Sequence, residues 1–128
     1  MKTNGDSVSK PILIIDTSDR AKSTVAILGK TGLVVIEENL PAQKLWCLIE
    51  EALKQARLAV SDLANMAVVV GPGSFTGLRV GVTVANILAW QLKLTLFEVS
   101  APNLAAILAK PEILTTFNKV AQAKAVYD

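Results

Sequence analysis

Apolar and polar positions along the chain alternate between two kinds of block. Pro11 to Asp16 reads PILIID, a continuous apolar run ending in an acid, the signature of a strand covered on both faces. Ser23 to Leu28 and Leu33 to Glu38 are two further strand-length runs, joined by Gly29-Lys30-Thr31-Gly32, which supplies hairpin turn chemistry. Three strands linked this tightly predict an antiparallel meander. The pattern then changes period. From Asn39, an expected N-cap with Pro41 in the first turn, a helix is predicted to about Arg57. Its apolar residues, including Leu45, Trp46, Leu48, Ile49 and Leu53, share an arc of roughly 160°. An arc that wide suits one edge on a sheet and one on a partner.

Asn65 to Val70 is a fourth strand, reached through a turn at Ser61 and Asp62, and the stretch Thr76 to Leu92 is a second long helix. That helix is apolar on two faces. Phe75, Leu78, Val82, Ala85, Ala89 and Leu92 form one, and Val80, Val84, Ile87 and Leu88 form much of the other. Only Arg79, Thr83 and Asn86 mark a wet strip between them. A helix apolar on two faces needs two covers: the sheet, and either the first helix or a partner chain. Leu94 to Val99 is a fifth strand and Ala101 to Lys110 a short helix. The tail Met1 to Lys10 is expected to be disordered, and Pro111 to Asp128 carries too weak a pattern to assign. The expected domain is an α/β unit over residues 11–110, with a five-stranded mixed sheet and a right-handed parallel crossover.

Composition narrows the chemistry. Of 128 residues, 52% are hydrophobic and 19% charged, so the chain has the means to bury a core. A net charge of +2, with no clustered Lys or Arg, gives no electrostatic argument for nucleic acid. One cysteine, Cys47, excludes a disulfide framework and fits a reducing, cytoplasmic setting. The chain has no histidine, which excludes His-based triads and the usual His-containing zinc sites. The first ten residues lack the apolar core of a signal peptide, and no run is long enough to span a membrane.

Two motifs remain. GPGSFTGLRVG, residues 71–81, joins a buried strand to a helix, a geometry that can cradle phosphate on free N–H groups and the helix dipole. Its spacing is neither GxGxxG nor GxxxxGK[ST], and no Lys follows the turn. The plainer reading, which we weigh more heavily, is a tight turn at Gly71 and Gly73. Ser74 or Thr76 then caps the helix, and Gly77 and Gly81 allow close packing. Asp16-Thr17-Ser18 at the end of the first strand can hold a metal–nucleotide phosphate, or can be ordinary turn chemistry. Trp46 and Cys47 are read as packing residues, since nothing nearby would activate the thiol.

LIIDTS, the meander, LPAQKLWCLIEEAL, VVVGPGSFTGLRVGVTVANILAWQL and FEVSAPNLAAIL together resemble the N-terminal half of the TsaB family. That family, also known as YeaZ, is the non-catalytic subunit of the bacterial tRNA threonylcarbamoyladenosine-forming complex. The resemblance covers residues 11–110. It implies one half of an actin-like ATPase (ASKHA, ribonuclease H-like) fold, with no second domain in these residues. It implies that the catalytic paralogue TsaD is the partner, with the small ATPase TsaE in the complex, tRNA contacted indirectly, and no cofactor or metal of its own. The paralogue has a His-x-x-x-His metal pair whose positions fall, reading without gaps from Gly71, on Ala101 and Ala105. The resemblance therefore implies an inactive partner. It places the interface on the two long helices, at Leu45, Trp46, Ile49, Leu53, Val80, Val84 and Ile87, and makes Asp16, Thr17 and Ser18 a vestigial phosphate loop. Usual members continue into a second actin-like domain, whereas only residues 111–128 follow the third helix, as expected of a minimal version or a fragment. The rival readings are a residual nucleotide-binding half, a glycoprotease-like hydrolase, and a homodimer formed by the same helices.

Overall fold

A computed structural model describes residues 11–29, 32–110, 113–114 and 117–126. The expected tail at residues 1–10 and the middle of the first hairpin turn lie outside them. Strands β1 (Ile12–Asp19), β2 (Lys22–Gly29) and β3 (Gly32–Glu38) form the antiparallel meander. Strands β4 (Asn65–Gly71) and β5 (Thr95–Ser100) add in parallel beside β1, with Ile12 opposite Asn65 and Asn65 opposite Thr95. A short sixth strand, β6 (Asn118–Val120), runs antiparallel to β5 in the stretch that sequence pattern left unassigned. The sheet order is β3-β2-β1-β4-β5-β6, so the expected five-stranded sheet has six strands among the described residues.

The central strands β1 and β4 read as unbroken apolar runs because both sheet faces are covered. On one face Leu13, Ile15, Val25, Ile27, Met66 and Val68 meet helices α1 (Leu45–Ala56) and α2 (Phe75–Leu92). On the other, Ile14, Ala26, Ala67, Val69, Phe97 and Val99 meet Ile107 of helix α3 (Leu104–Ala109) and Leu114. Each fully buried Leu or Ile contributes about 1.5–3 kcal/mol over its exposed state. Alternate residues of one strand thus feed two separate cores.

α1 lies over β2 and β3, and α2 over β1 and β4. α1 starts later than the pattern suggested. A 3-10 turn at Ala42–Lys44 precedes it, and Pro41, not Asn39, occupies the capping position of that turn. Both long helices end on a left-handed residue, Arg57 at φ 60° and Lys93 at φ 58°. Leu58 N–H then donates to Leu53 O at 3.0 Å, and Leu94 N–H to Ala89 O at 2.9 Å, which satisfies carbonyls the helix leaves open.

Candidate functional site: a closed strand–helix junction and the helix face it aims

The two motifs singled out in the sequence meet. β1 does not stop at Asp16 but runs on to Asp19 through a bulge, with Asp16 opposite Thr24 and Asp19 opposite Lys22. The extra residue in β1 re-aims the strand end, as bulges do. Thr17, 1% exposed, keeps the parity of Leu13 and Ile15 and points toward α2. Its hydroxyl donates to Gly77 O at 2.6 Å. Ser74 N–H donates to Ser18 O at 2.7 Å, and Ser18 N–H to Asp16 Oδ1 at 2.8 Å.

The glycines of 71–81 approach the chain's own strand. A Cβ on Gly77 would collide with the Thr17 carbonyl oxygen, and one on Gly81 with the Thr17 hydroxyl. A Cβ on Gly73 would overlap Ser18. The close packing expected of Gly77 and Gly81 is therefore packing of the second long helix on β1. Gly71 follows a different logic. It has φ +139° and precedes a cis bond to Pro72, and a Cβ there would strike the Val126 carbonyl.

The helix cap is Ser74, whose Oγ accepts from Gly77 N–H at 3.2 Å; Thr76 is exposed in the first turn. Three N–H groups of the junction are engaged within the chain: Ser74 N–H by Ser18 O, Gly77 N–H by the cap, and Leu78 N–H by Ser74 O at 2.9 Å. Beside this junction lies an open cleft of ≈350 Å³ lined by Arg20, Pro41, Gln43, Phe75 and Thr76, among others.

From this anchor α2 projects a ridge away from the sheet. Ile87 is 53% exposed and Trp90 83% exposed, while Val80 and Val84 are half-buried along the same helix. On α1, Trp46 is 45% exposed. The other three α1 residues expected at an interface are buried. Leu45, Ile49 and Leu53 are 1%, 0% and 7% exposed and pack into the core beneath the helix. The apolar arc of α1 is wide because the helix packs across both β2 and β3. Six buried positions consume the stripe, and Trp46 lies at its margin.

Sequence pattern did not single out Trp90, and it placed Asn86 within the wet strip. The Asn86 carboxamide donates to Ala123 O at 3.0 Å and accepts from Ala123 N–H at 2.7 Å. Nothing local marks such a long-range partner; an Asn in the middle of an apolar helix was the available hint. Ala101 opens the turn into α3 half-buried against the second core, and Ala105 is exposed one turn on. Among the described residues no group of three or more His, Cys, Asp or Glu could hold a metal ion. No described helix is long and apolar enough to cross a membrane.

Fold and site define one half of a ribonuclease H-like, actin-type (ASKHA) domain in which the strand–helix junction is packed shut. The structure of YeaZ from Pseudomonas aeruginosa superposes with a TM-score of 0.71 and 31% identity, over 80% of this chain and 49% of that one. A family model described as TsaD, tRNA N6-adenosine threonylcarbamoyltransferase, matches residues 41–116. The tRNA threonylcarbamoyladenosine biosynthesis protein TsaB of Buchnera aphidicola is 33% identical over 119 residues, 87% of this chain and 56% of that protein. TsaB of Bacillus subtilis is 42% identical over 95 residues, 70% of this chain and 41% of that protein. The chain belongs to the TsaB/YeaZ family. It spans about half the length of the curated relatives it matches.

Proposed function

We propose that this chain acts as a non-catalytic scaffold that pairs with a TsaD-type paralogue in forming N6-threonylcarbamoyladenosine at adenosine 37 of tRNA. The observation that carries the reading is exposed apolar bulk on both long helices: Ile87 and Trp90 in the C-terminal half of α2 and Trp46 in the first turn of α1, with the sheet behind both. Large aromatic residues on a firm helical face are the usual anchors of a protein interface. Val80 and Val84 widen the ridge. Leu45, Ile49 and Leu53 support it from beneath rather than touch the partner.

The scaffold role, rather than an enzymatic one, is supported by side-chain chemistry. Alanine at 101 and 105 offers no ligand to a metal, and the chain has no histidine to replace one. The engaged N–H groups of the junction favour Asp16, Thr17 and Ser18 as structural residues over a nucleotide site. The small ATPase TsaE and tRNA would then be met through the complex, in the cytoplasm. Self-association through the same ridge is the second reading, favoured by the exposure of Trp90.

The test is co-purification of the chain with its TsaD-type paralogue, with sedimentation of the chain alone. A stoichiometric complex that is lost in Trp46→Asp and Ile87→Asp, both well folded, is the expected result. Equal binding by both variants, or a homodimer that the paralogue does not displace, would refute the reading.

A further inference from the structure

The polypeptide after β5 returns across the edge of the sheet as a strap, residues 118–126. Its backbone is held at three residues by groups far away in sequence. Asn86 takes both the N–H and the C=O of Ala123, at 2.7 and 3.0 Å. Glu98 accepts from Lys124 N–H at 2.9 Å and from the Asn118 carboxamide at 3.2 Å. Val126 N–H donates to Val70 O at 2.6 Å, over the seat left by Gly71. Apolar contacts accompany these bonds: Ala123 is buried in the first core, and Val120 and Ala125 pack against it.

Asn86 presents a donor and an acceptor to one residue, as a neighbouring strand would, so it fixes the strap by its backbone. The same side chain sits in α2 one residue before Ile87 and one turn before Trp90. Residues four apart share one side of a helix, so Asn86 and Trp90 project from the same side of α2, one turn apart. The N-terminal half of α2 is pinned independently, by Thr17 on Gly77.

We infer that Asn86 is a positioning residue for docking: by latching the strap it holds the C-terminal half of α2, and so Ile87 and Trp90, in the pose the partner meets. The inference rests on the scaffold reading above. It makes partner affinity depend on a side chain turned toward the chain's own strap.

The experiment uses the full chain and the TsaD-type paralogue, with affinity measured by calorimetry and strap release by trypsin cleavage after the exposed Lys119 and Lys124. Asn86→Ala is expected to speed cleavage and weaken binding about tenfold each, the equivalent of losing two hydrogen bonds' modest net worth. Glu98→Ala, which removes two exposed bonds and leaves the core intact, is expected to move both readouts the same way by less. Ile107→Val, in the second core on the far side of the sheet from α2, is the stability control: its melting temperature falls and its affinity stays within about twofold of wild type. Faster cleavage in Asn86→Ala with unchanged affinity overturns the inference, as does equal weakening in Ile107→Val, which would make global stability the cause. Unchanged cleavage in Asn86→Ala overturns the latch itself. A wild-type chain that fails to bind the paralogue sinks the scaffold reading and the coupling with it, while the cleavage data still judge the latch.

Discussion

Replacing Gly77 by alanine is the sharpest probe of the junction, because two physical effects oppose each other in sign. In a helix interior alanine is better than glycine by about 1 kcal/mol, so an unconstrained site would gain stability. Here the new methyl would collide with the Thr17 carbonyl oxygen, a backbone atom of a central strand that cannot swing away. Relieving such overpacking costs about 1–3 kcal/mol. Moving α2 outward would also stretch the 2.6 Å bond from the Thr17 hydroxyl to Gly77 O, leaving a 1%-exposed hydroxyl unpaired. That adds about 1–3 kcal/mol. The losses exceed the propensity gain, and we expect a net destabilisation of about 3 kcal/mol, read as a drop of about 10 °C in melting temperature. The assay is thermal and urea unfolding of Gly77→Ala beside Thr83→Ala, an exposed position on the same helix. A Gly77→Ala chain as stable as wild type, or more stable, would refute the close approach of α2 to β1.

Other substitutions separate the roles of neighbouring residues. Thr17→Val keeps the shape and removes the hydroxyl, and should cost about 1–2 kcal/mol in urea unfolding. Ser74→Ala removes the cap on Gly77 N–H and should cost about 1 kcal/mol by the same measurement. Leu53→Asp, at a 7%-exposed site, should unfold the chain, a loss above about 3 kcal/mol seen as missing near-ultraviolet dichroism. Trp90→Asp should leave melting within about 0.5 kcal/mol of wild type, since its side chain is almost wholly in solvent.

Much of the fold was legible because its signals are periodic. The apolar runs at 11–16 and 65–70, and the period change after Asn39, located the central strands and long helices within a few residues. What pattern could not show was direction in space. The arc holding Leu45, Trp46, Ile49 and Leu53 gave no sign of which residues the sheet would take and which would be left out. The glycines at 77 and 81 announced close packing without naming what they pack on; that required Thr17, sixty positions earlier, and a bulge that pattern does not encode. The strap was invisible for a related reason. β6 has three residues, and its hold comes from Asn86 and Glu98, each read in isolation as an ordinary polar position.

The scaffold role requires that the exposed apolar residues of α1 and α2 dock the TsaD-type paralogue. Binding of that paralogue to wild type and to Ile87→Asp, with unfolding curves recorded on the same samples, tests this most directly. A complex formed by wild type and lost in an Ile87→Asp chain of unchanged stability is the predicted result. Undiminished binding by that folded variant would contradict it.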